Sequence, residues 1–369
     1  MTKVIILGAS VAGSSLAYLL SRKVDVTMYE LKPKMEVGKK LCSNICTEPF
    51  VEMIYSWGFT PDDFIKKQYT NVKISTRNKS IDFSINEFEI NRIKLVDTLM
   101  HEAEKNGAKL HFSSKFVDFH REGTKFSVSI EKEGKIISDT ADYIIGADGA
   151  VSEFARRIGM WKGRKHFLYL QGMVDKKHLH PSFAPGENTQ HVFVGTGFGY
   201  YSYVYPTGEN LFSIGLGDNM GKNVRLMFDS YKEYLGVRDV SLQGALIPQA
   251  QVIGMKKGLF LVGDSACETK FSLGGIVPSM TSAEAVSDII LRGKYAKYKA
   301  LKRRTWIHSL ATRVLRKLTE RDYEELFDIM KDKKFKDLIA ARDRFGRKEI
   351  LTLMSPRLAW FSLKALLRK

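Results

Sequence analysis

Hydrophobic and polar positions follow two different rhythms along this chain. Near the start the apolar residues come in short unbroken runs. Val4-Ile5-Ile6-Leu7 is such a run, the pattern of a strand buried on both faces. Val11–Leu20 follows as a helix with small residues near its start, and Val24–Tyr29 as a second strand ending at Glu30. Together they predict a βαβ opening. Leu95, Leu99 and Ala103 recur at helical spacing within Arg92–Gly107, which stops on a glycine. Strands are predicted over Lys109–Phe119 and Lys125–Glu131, joined at Glu122-Gly123, and over Ala141–Ala147, which runs into Asp148-Gly149.

Between about residues 161 and 250 the rhythm changes. Aromatic, β-rich segments alternate with Gly and Pro turns: Phe167–Met173, His191–Val194, Tyr200–Tyr205 and Leu211–Leu216. This predicts a mostly antiparallel sheet. Leu259–Val262 returns as a buried strand and Ser279–Leu291 as a helix. From Tyr295 onward the pattern is helical and basic.

The first turn carries specific chemistry. Gly8-Ala9-Ser10-Val11-Ala12-Gly13 reads G-x-S-x-x-G, between a strand and a helix. The first glycine allows the tight turn, and the last lets the helix pack on the strand. The exposed amides, with the helix dipole, bind a pyrophosphate. Ser10 stands where glycine is usual. Glu30, 22 residues after Gly8 and followed by Leu31, is placed to accept hydrogen bonds from an adenosine ribose and to repel a 2′-phosphate. The expected fold is α/β. A Rossmann-type dinucleotide-binding domain with a mostly parallel sheet takes residues 1–75, 93–160 and 250–295. An inserted antiparallel β-sheet substrate domain takes 76–92 and 161–249, and a basic helical region takes 296–369.

Charge and cysteine content narrow the picture. The 369 residues carry a formal net charge of +17, and 22 Lys and Arg face nine Asp and Glu from Lys294 to Lys369. Such a tail seeks anions. No nucleic-acid motif accompanies it, so no nucleic-acid partner is expected. Ser355-Pro356 opens an expected helix with Leu358, Phe361, Ala365 and Leu366 on one face, and Arg357, Lys364, Arg368 and Lys369 around it. Such a helix can pack on the protein body with a solvated basic face, or lie on an anionic membrane. No run of about 18 apolar residues exists to span one, and polar breaks at Gly8, Ser10 and Gly13–Ser15 argue against a signal peptide. The expected location is the cytoplasm, peripheral at the membrane's inner face. Cys42, Cys46 and Cys267 are too few for a disulfide framework, and their spacing is not that of a metal site.

Two later strand ends complete a pattern: Asp148-Gly149, and Gly263-Asp264 in Gly258-Leu-Phe-Leu-Val-Gly-Asp-Ser-Ala. With the first turn, over about residues 3 to 295, the chain resembles the p-hydroxybenzoate hydroxylase-like flavoproteins and, among them, the geranylgeranyl reductase family. The resemblance implies that Asp264 faces the ribityl and pyrophosphate of FAD, that Asp148 makes structural and pyrophosphate-side contacts, and that Arg92 lies along the cofactor. It implies that Gly274, Gly275 and Ile276 pass the flavin's pyrimidine edge, where a helix N-terminus stabilises negative charge. The family's proline is missing from that loop. Lys40-Leu-Cys42-Ser43 sits where the family often has a cysteine beside the flavin. Tyr201-Ser-Tyr203-Val-Tyr205-Pro206 and the strand Leu211–Gly217 stand in place of the family's Y-x-W-x-F-P and G-x-G segments.

The implied reaction is reduction of an isolated prenyl double bond in an isoprenoid lipid, with a nicotinamide nucleotide or small redox protein as electron donor. An unactivated alkene needs a placed acid. Cys42 and Tyr203 are the candidate catalytic residues, and Tyr201, Tyr203, Tyr205 and Pro206 the candidate substrate wall. Small buried cysteines and ordinary sheet aromatics fit the same pattern. Other readings are a flavin-dependent aromatic hydroxylase, a net non-redox cyclase or isomerase, and a flavin-binding protein without turnover.

Overall fold

The computed structural model describes residues 1–331 and 360–363. A five-stranded parallel sheet forms in the order Leu259–Leu261, Tyr143–Gly146, Lys3–Leu7, Asp25–Tyr29, Lys109–His111. Its central strand is buried on both faces, as its unbroken apolar run requires. Val4 and Ile6 face a core shared with helices Val11–Ser21, Arg92–Lys105 and Ile276–Arg292. Ile5 and Leu7 face the opposite core, built with Phe126, Val128 and Ile130 of a three-stranded antiparallel sheet, Ser114–Glu122, Lys125–Lys132 and Lys135–Ala141.

The strand expected over Lys109–Phe119 is in fact two. Lys109–His111 pairs in the parallel sheet and Ser114–Glu122 in the antiparallel one. Ser113 takes φ +50° between them, and the chain changes sheets there.

The second unit is an eight-stranded sheet. Its order is Leu242–Pro248, His166–Asp175, Leu211–Asn219, Tyr201–Pro206, Thr189–Phe193, Ile65–Ser75, Ser80–Ile90, Ile45–Thr47. All pairs are antiparallel except Thr189–Phe193 with Ile65–Ser75. One face packs on helix Val224–Leu235 through Phe193, Phe212, Ile214, Phe228 and Tyr231. The other gathers Tyr69, Val72, Tyr169, Val192, Tyr203 and Tyr205 with Phe327 and Phe361. The boundary expected at residues 75 and 76 cuts a hairpin, because Ser75 pairs with Ser80 across its turn. Ile65–Ser75 therefore stands with the eight-stranded sheet.

Helix Ala296–Leu315 packs beside Ile276–Arg292, and Glu320–Met330 covers the tyrosine face with Tyr323, Phe327 and Met330. Phe361 is buried on that face. The other residues of the expected basic helix, Ser355, Pro356, Arg357, Leu358, Lys364, Ala365, Leu366, Arg368 and Lys369, lie outside the described residues.

Candidate functional site

The first turn is shaped by its backbone. Gly8 takes φ +105° and its amide donates to Tyr29 O at 2.8 Å. A Cβ on Gly8 would stand 2.5 Å from Ala147 O, and one on Gly13 only 1.8 Å from Gly8 O. Helix and strand thus touch at a distance no side chain tolerates. The Glu30 carboxylate is fixed at the rim: Ala9 N–H donates to one oxygen at 2.7 Å and Lys32 N–H to the other at 2.8 Å. Each oxygen keeps a lone pair for a further donor. Leu31 is exposed beside it.

Ser10, Val11 and Ala12 open into a cavity of about 310 Å³. Around them stand Ala147, Gly149, Arg92, Lys40, Cys42, Asp264 and the loop Lys270–Ile276. The same cavity continues across the eight-stranded sheet over Ile247, Tyr169, Tyr201, Tyr203, Tyr205, Val192, Ile74, Val72 and Glu87. The two halves are tied together where they meet. Tyr200 donates to Phe271 O at 2.7 Å. A Cβ on Gly217 would stand 3.0 Å from Leu273 Cδ1, so Gly217 leaves the notch that Leu273 occupies. Leu273 itself holds φ +64°, a conformation that costs a leucine on the order of 1–2 kcal/mol.

On the cofactor side, Lys40 anchors the loop that carries Cys42. Its amine pairs with Asp264 at 2.9 Å, and its carbonyl accepts from the Arg92 guanidinium. Arg92 is buried, and its Nε has no hydrogen-bond partner. Asn44 N–H donates to Cys42 Sγ at 3.3 Å. Cys42, Cys46 and Cys267 are free thiols, and no metal-binding cluster exists among the described residues. Burial pushes the Cys267 thiol up to about 11, which leaves it inert.

Asp148 turns inward. It accepts from the Ser152 hydroxyl at 2.5 Å and from Phe154 N–H at 2.9 Å, which secures the short helix Glu153–Arg157. Burial pushes its carboxyl above the ordinary range in spite of both bonds. Its contacts in the protein are thus the structural ones. Gly263, with φ +61°, turns the chain so that Asp264 reaches the cavity, and Gly275 passes close to that carboxylate.

On the sheet side the three tyrosines of Tyr201–Pro206 share one face. Across the neighbouring strand, Tyr201, Tyr203 and Tyr205 oppose Gly217, Gly215 and Ser213. A Cβ on Gly215 would come within 2.4 Å of the Tyr203 ring, so this glycine exists to admit that ring. The hydroxyls satisfy one another. Tyr203 pairs with Tyr169, with Ser213 Oγ 3.4 Å away, and Tyr201 pairs with Tyr205 at 2.5 Å. Burial raises all four, so these tyrosines stay uncharged. Pro206 stands behind it and gives its carbonyl to Tyr69 at 2.8 Å. Sequence reasoning missed Tyr169 and Tyr200, which belong to no recognisable motif, and met Lys40 only as the start of the Cys42 segment, with no role of its own.

The residues present fit FAD. The Ser10–Ala12 turn whose close packing only Gly8 and Gly13 allow, a helix N-terminus at Gly275-Ile276 and the unpartnered Arg92 Nε converge on the same end of the cavity.

Comparison with known proteins agrees. The FAD binding domain family matches residues 1–210. A digeranylgeranylglycerophospholipid reductase of Methanosphaera stadtmanae is 22% identical over 80% of this chain and 80% of its own. One from Methanothrix thermoacetophila is 24% identical over 71% of this chain and 72% of its own. Among solved structures, a geranylgeranyl bacteriochlorophyll reductase-like protein of Thermoplasma acidophilum superposes with a TM-score of 0.79 at 20% identity, covering 99% of this chain and 98% of that one. Cradle, cavity and relatives point one way: the chain belongs to the FAD binding domain family and, like these reductases, is an FAD-dependent oxidoreductase.

Proposed function

We propose that this protein saturates prenyl (geranylgeranyl) double bonds of isoprenoid membrane lipids or their precursors. The single observation that carries the reading is the continuity of the cavity. One space runs from the cofactor cradle, past Cys42, onto a wall of neutral tyrosines and branched aliphatics in which Glu87 is the one carboxylate among the described residues. That suits a long apolar chain. The reductase relatives support the same substrate class.

When bound, FAD in its reduced form supplies the hydride. Ser10–Ala12, Arg92, Asp264 and Gly274–Ile276 would hold it, and Glu30 would meet its ribose. The protein's own work is alignment and exclusion of water. Tyr201, Tyr203 and Tyr205 hold the chain flat against the sheet, and Tyr200 with Leu273 closes the seam between the two halves. Cys42, at the junction, positions the alkene or delivers the proton that completes saturation.

A nicotinamide nucleotide or a small redox protein supplies electrons. The protein works in the cytoplasm, at the inner face of the membrane, held by its basic C-terminal region. No helix among the described residues is long and apolar enough to cross a membrane. On helix Ala296–Leu315 the exposed Lys299, Arg303, Trp306 and Arg313 suit an anionic lipid surface.

The direct test is product mass. With dithionite as reductant, a geranylgeranyl phospholipid gains two hydrogens for each double bond reduced. An unchanged lipid, with oxygen-dependent hydroxylation of an aromatic compound instead, contradicts the proposal.

A further inference from the structure

Beside Gly263 and Asp264 lies a buried charge pair that the reaction itself does not use. The side chain of Glu268 is fully buried, and that of Lys302 is 13% exposed. The Lys302 amine donates to one Glu268 oxygen at 2.7 Å. The other oxygen accepts the Gly263 N–H at 3.0 Å. Glu268 N–H donates in turn to Gly263 O at 3.1 Å. Both polar groups of the Gly263 backbone are therefore clasped by one residue, five positions on.

Gly263 sits where little can adjust. Its φ is +61°, and a Cβ there would stand 2.7 Å from Ser279 Oγ. The next residue is Asp264, whose carboxylate lines the cavity and pairs with Lys40. The Gly263 backbone thus decides where Asp264 points. Tyr298, one turn before Lys302 on the same helix, has its ring 4.8 Å from the amine. Burial alone would lower the Lys302 amine, but the Glu268 carboxylate and Tyr298 outweigh it and hold it charged.

A buried ion pair is a weak device for stability, because desolvation consumes most of the attraction. This one is placed to fix geometry, as metal-site carboxylates are fixed by groups behind them. We infer that Glu268 and Lys302 are positioning residues for FAD. Through the Gly263 amide they set Asp264 against the cofactor, and so make helix Ala296–Leu315 part of the cofactor site. The inference rests on the FAD assignment and not on the lipid, so it stands or falls apart from the reductase reading.

The test uses the full-length protein and FAD alone. FAD affinity and the visible flavin spectrum are measured for Lys302→Met and K302R, and for two neutral double variants, E268Q/K302M and E268A/K302M. Glutamine still accepts the Gly263 N–H; alanine does not. Lys302→Met is expected to weaken FAD binding about tenfold or more, with a changed spectrum. K302R stays close to the parent, and E268Q/K302M recovers most of the affinity. E268A/K302M stays weak, although it buries no unpaired charge. Where Lys302→Met fails to fold, the two double variants decide. If E268A/K302M binds FAD as tightly as the parent, with the same spectrum, the positioning role is overturned and the pair is only structural.

Discussion

The two sheets meet at one cavity but shape it by different means. On the five-stranded side the work is done by the backbone: Gly8 and Gly13 bring helix and strand into contact, and the Ser10–Ala12 turn and a helix N-terminus line the cavity. On the eight-stranded side it is done by side chains in register, where Tyr203 fills the space that Gly215 leaves and Tyr169 reaches it from the next strand but one. A backbone site tolerates almost no substitution and leaves a short motif. A side-chain site tolerates exchange within a shape and leaves only a composition. That accounts for tyrosines standing where the resembling family has tryptophan and phenylalanine.

The contrast breaks most visibly at Gly13. Gly13→Ala puts a Cβ 1.8 Å from Gly8 O and is expected to cost about 3 kcal/mol, the top of the usual range for overpacking. The purified variant should lack flavin absorbance. A yellow variant of normal stability would mean that the cradle is not needed.

Acid separates the two regions next. Removal from water, and secondarily Lys73, hold His191 in the eight-stranded sheet down to about 4, against the backbone of Phe183. Its Nε2 sits 2.9 Å from Ser75 Oγ. The unfolded chain takes up this proton near pH 6.5 and the folded one only near 4. Stability is therefore complete above pH 6.5 and falls as pH drops toward 4, by about 3 kcal/mol in all. Denaturant melts of the parent and His191→Gln over that window should show the loss in the parent only.

Gly215→Ala sharpens the comparison from the other side. It drives a Cβ to 2.4 Å from the Tyr203 ring and is expected to cost about 2 kcal/mol. FAD content should hold while lipid turnover falls by roughly tenfold. Loss of FAD together with turnover would show that the two halves are not separable.

The smallest effect is that of Tyr203→Phe. It removes a hydroxyl shared with Tyr169 and Ser213, worth about 1 kcal/mol in thermal melts. FAD affinity should not change.

The same division explains what the sequence revealed. The first turn, Gly263-Asp264 and the Gly274–Ile276 loop were readable because backbone geometry forces their residue types. The pattern of aromatics announced a sheet after residue 161. It could not announce Tyr169, 34 residues from its partner Tyr203, because register alone brings them together. Of the hairpin Ile65–Ser75 with Ser80–Ile90, only the stretch 76–92 was placed with the antiparallel domain, since the many charged and polar positions hide the alternation of its first strand. Asp148 matched its motif yet spends its side chain on its own turn. Lys302 lies 34 residues from Glu268 in a stretch whose basic character suggests surface, and only the fold buries it.

The most direct measurement of the central claim is an anaerobic single turnover. The flavin is reduced with dithionite, excess reductant is removed and a geranylgeranyl phospholipid is added. Flavin absorbance and lipid mass are followed together. One cavity serving cofactor and chain predicts that the flavin reoxidises without oxygen, while the lipid gains two hydrogens per flavin. A flavin that stays reduced until air is admitted, beside an unchanged lipid, would contradict it.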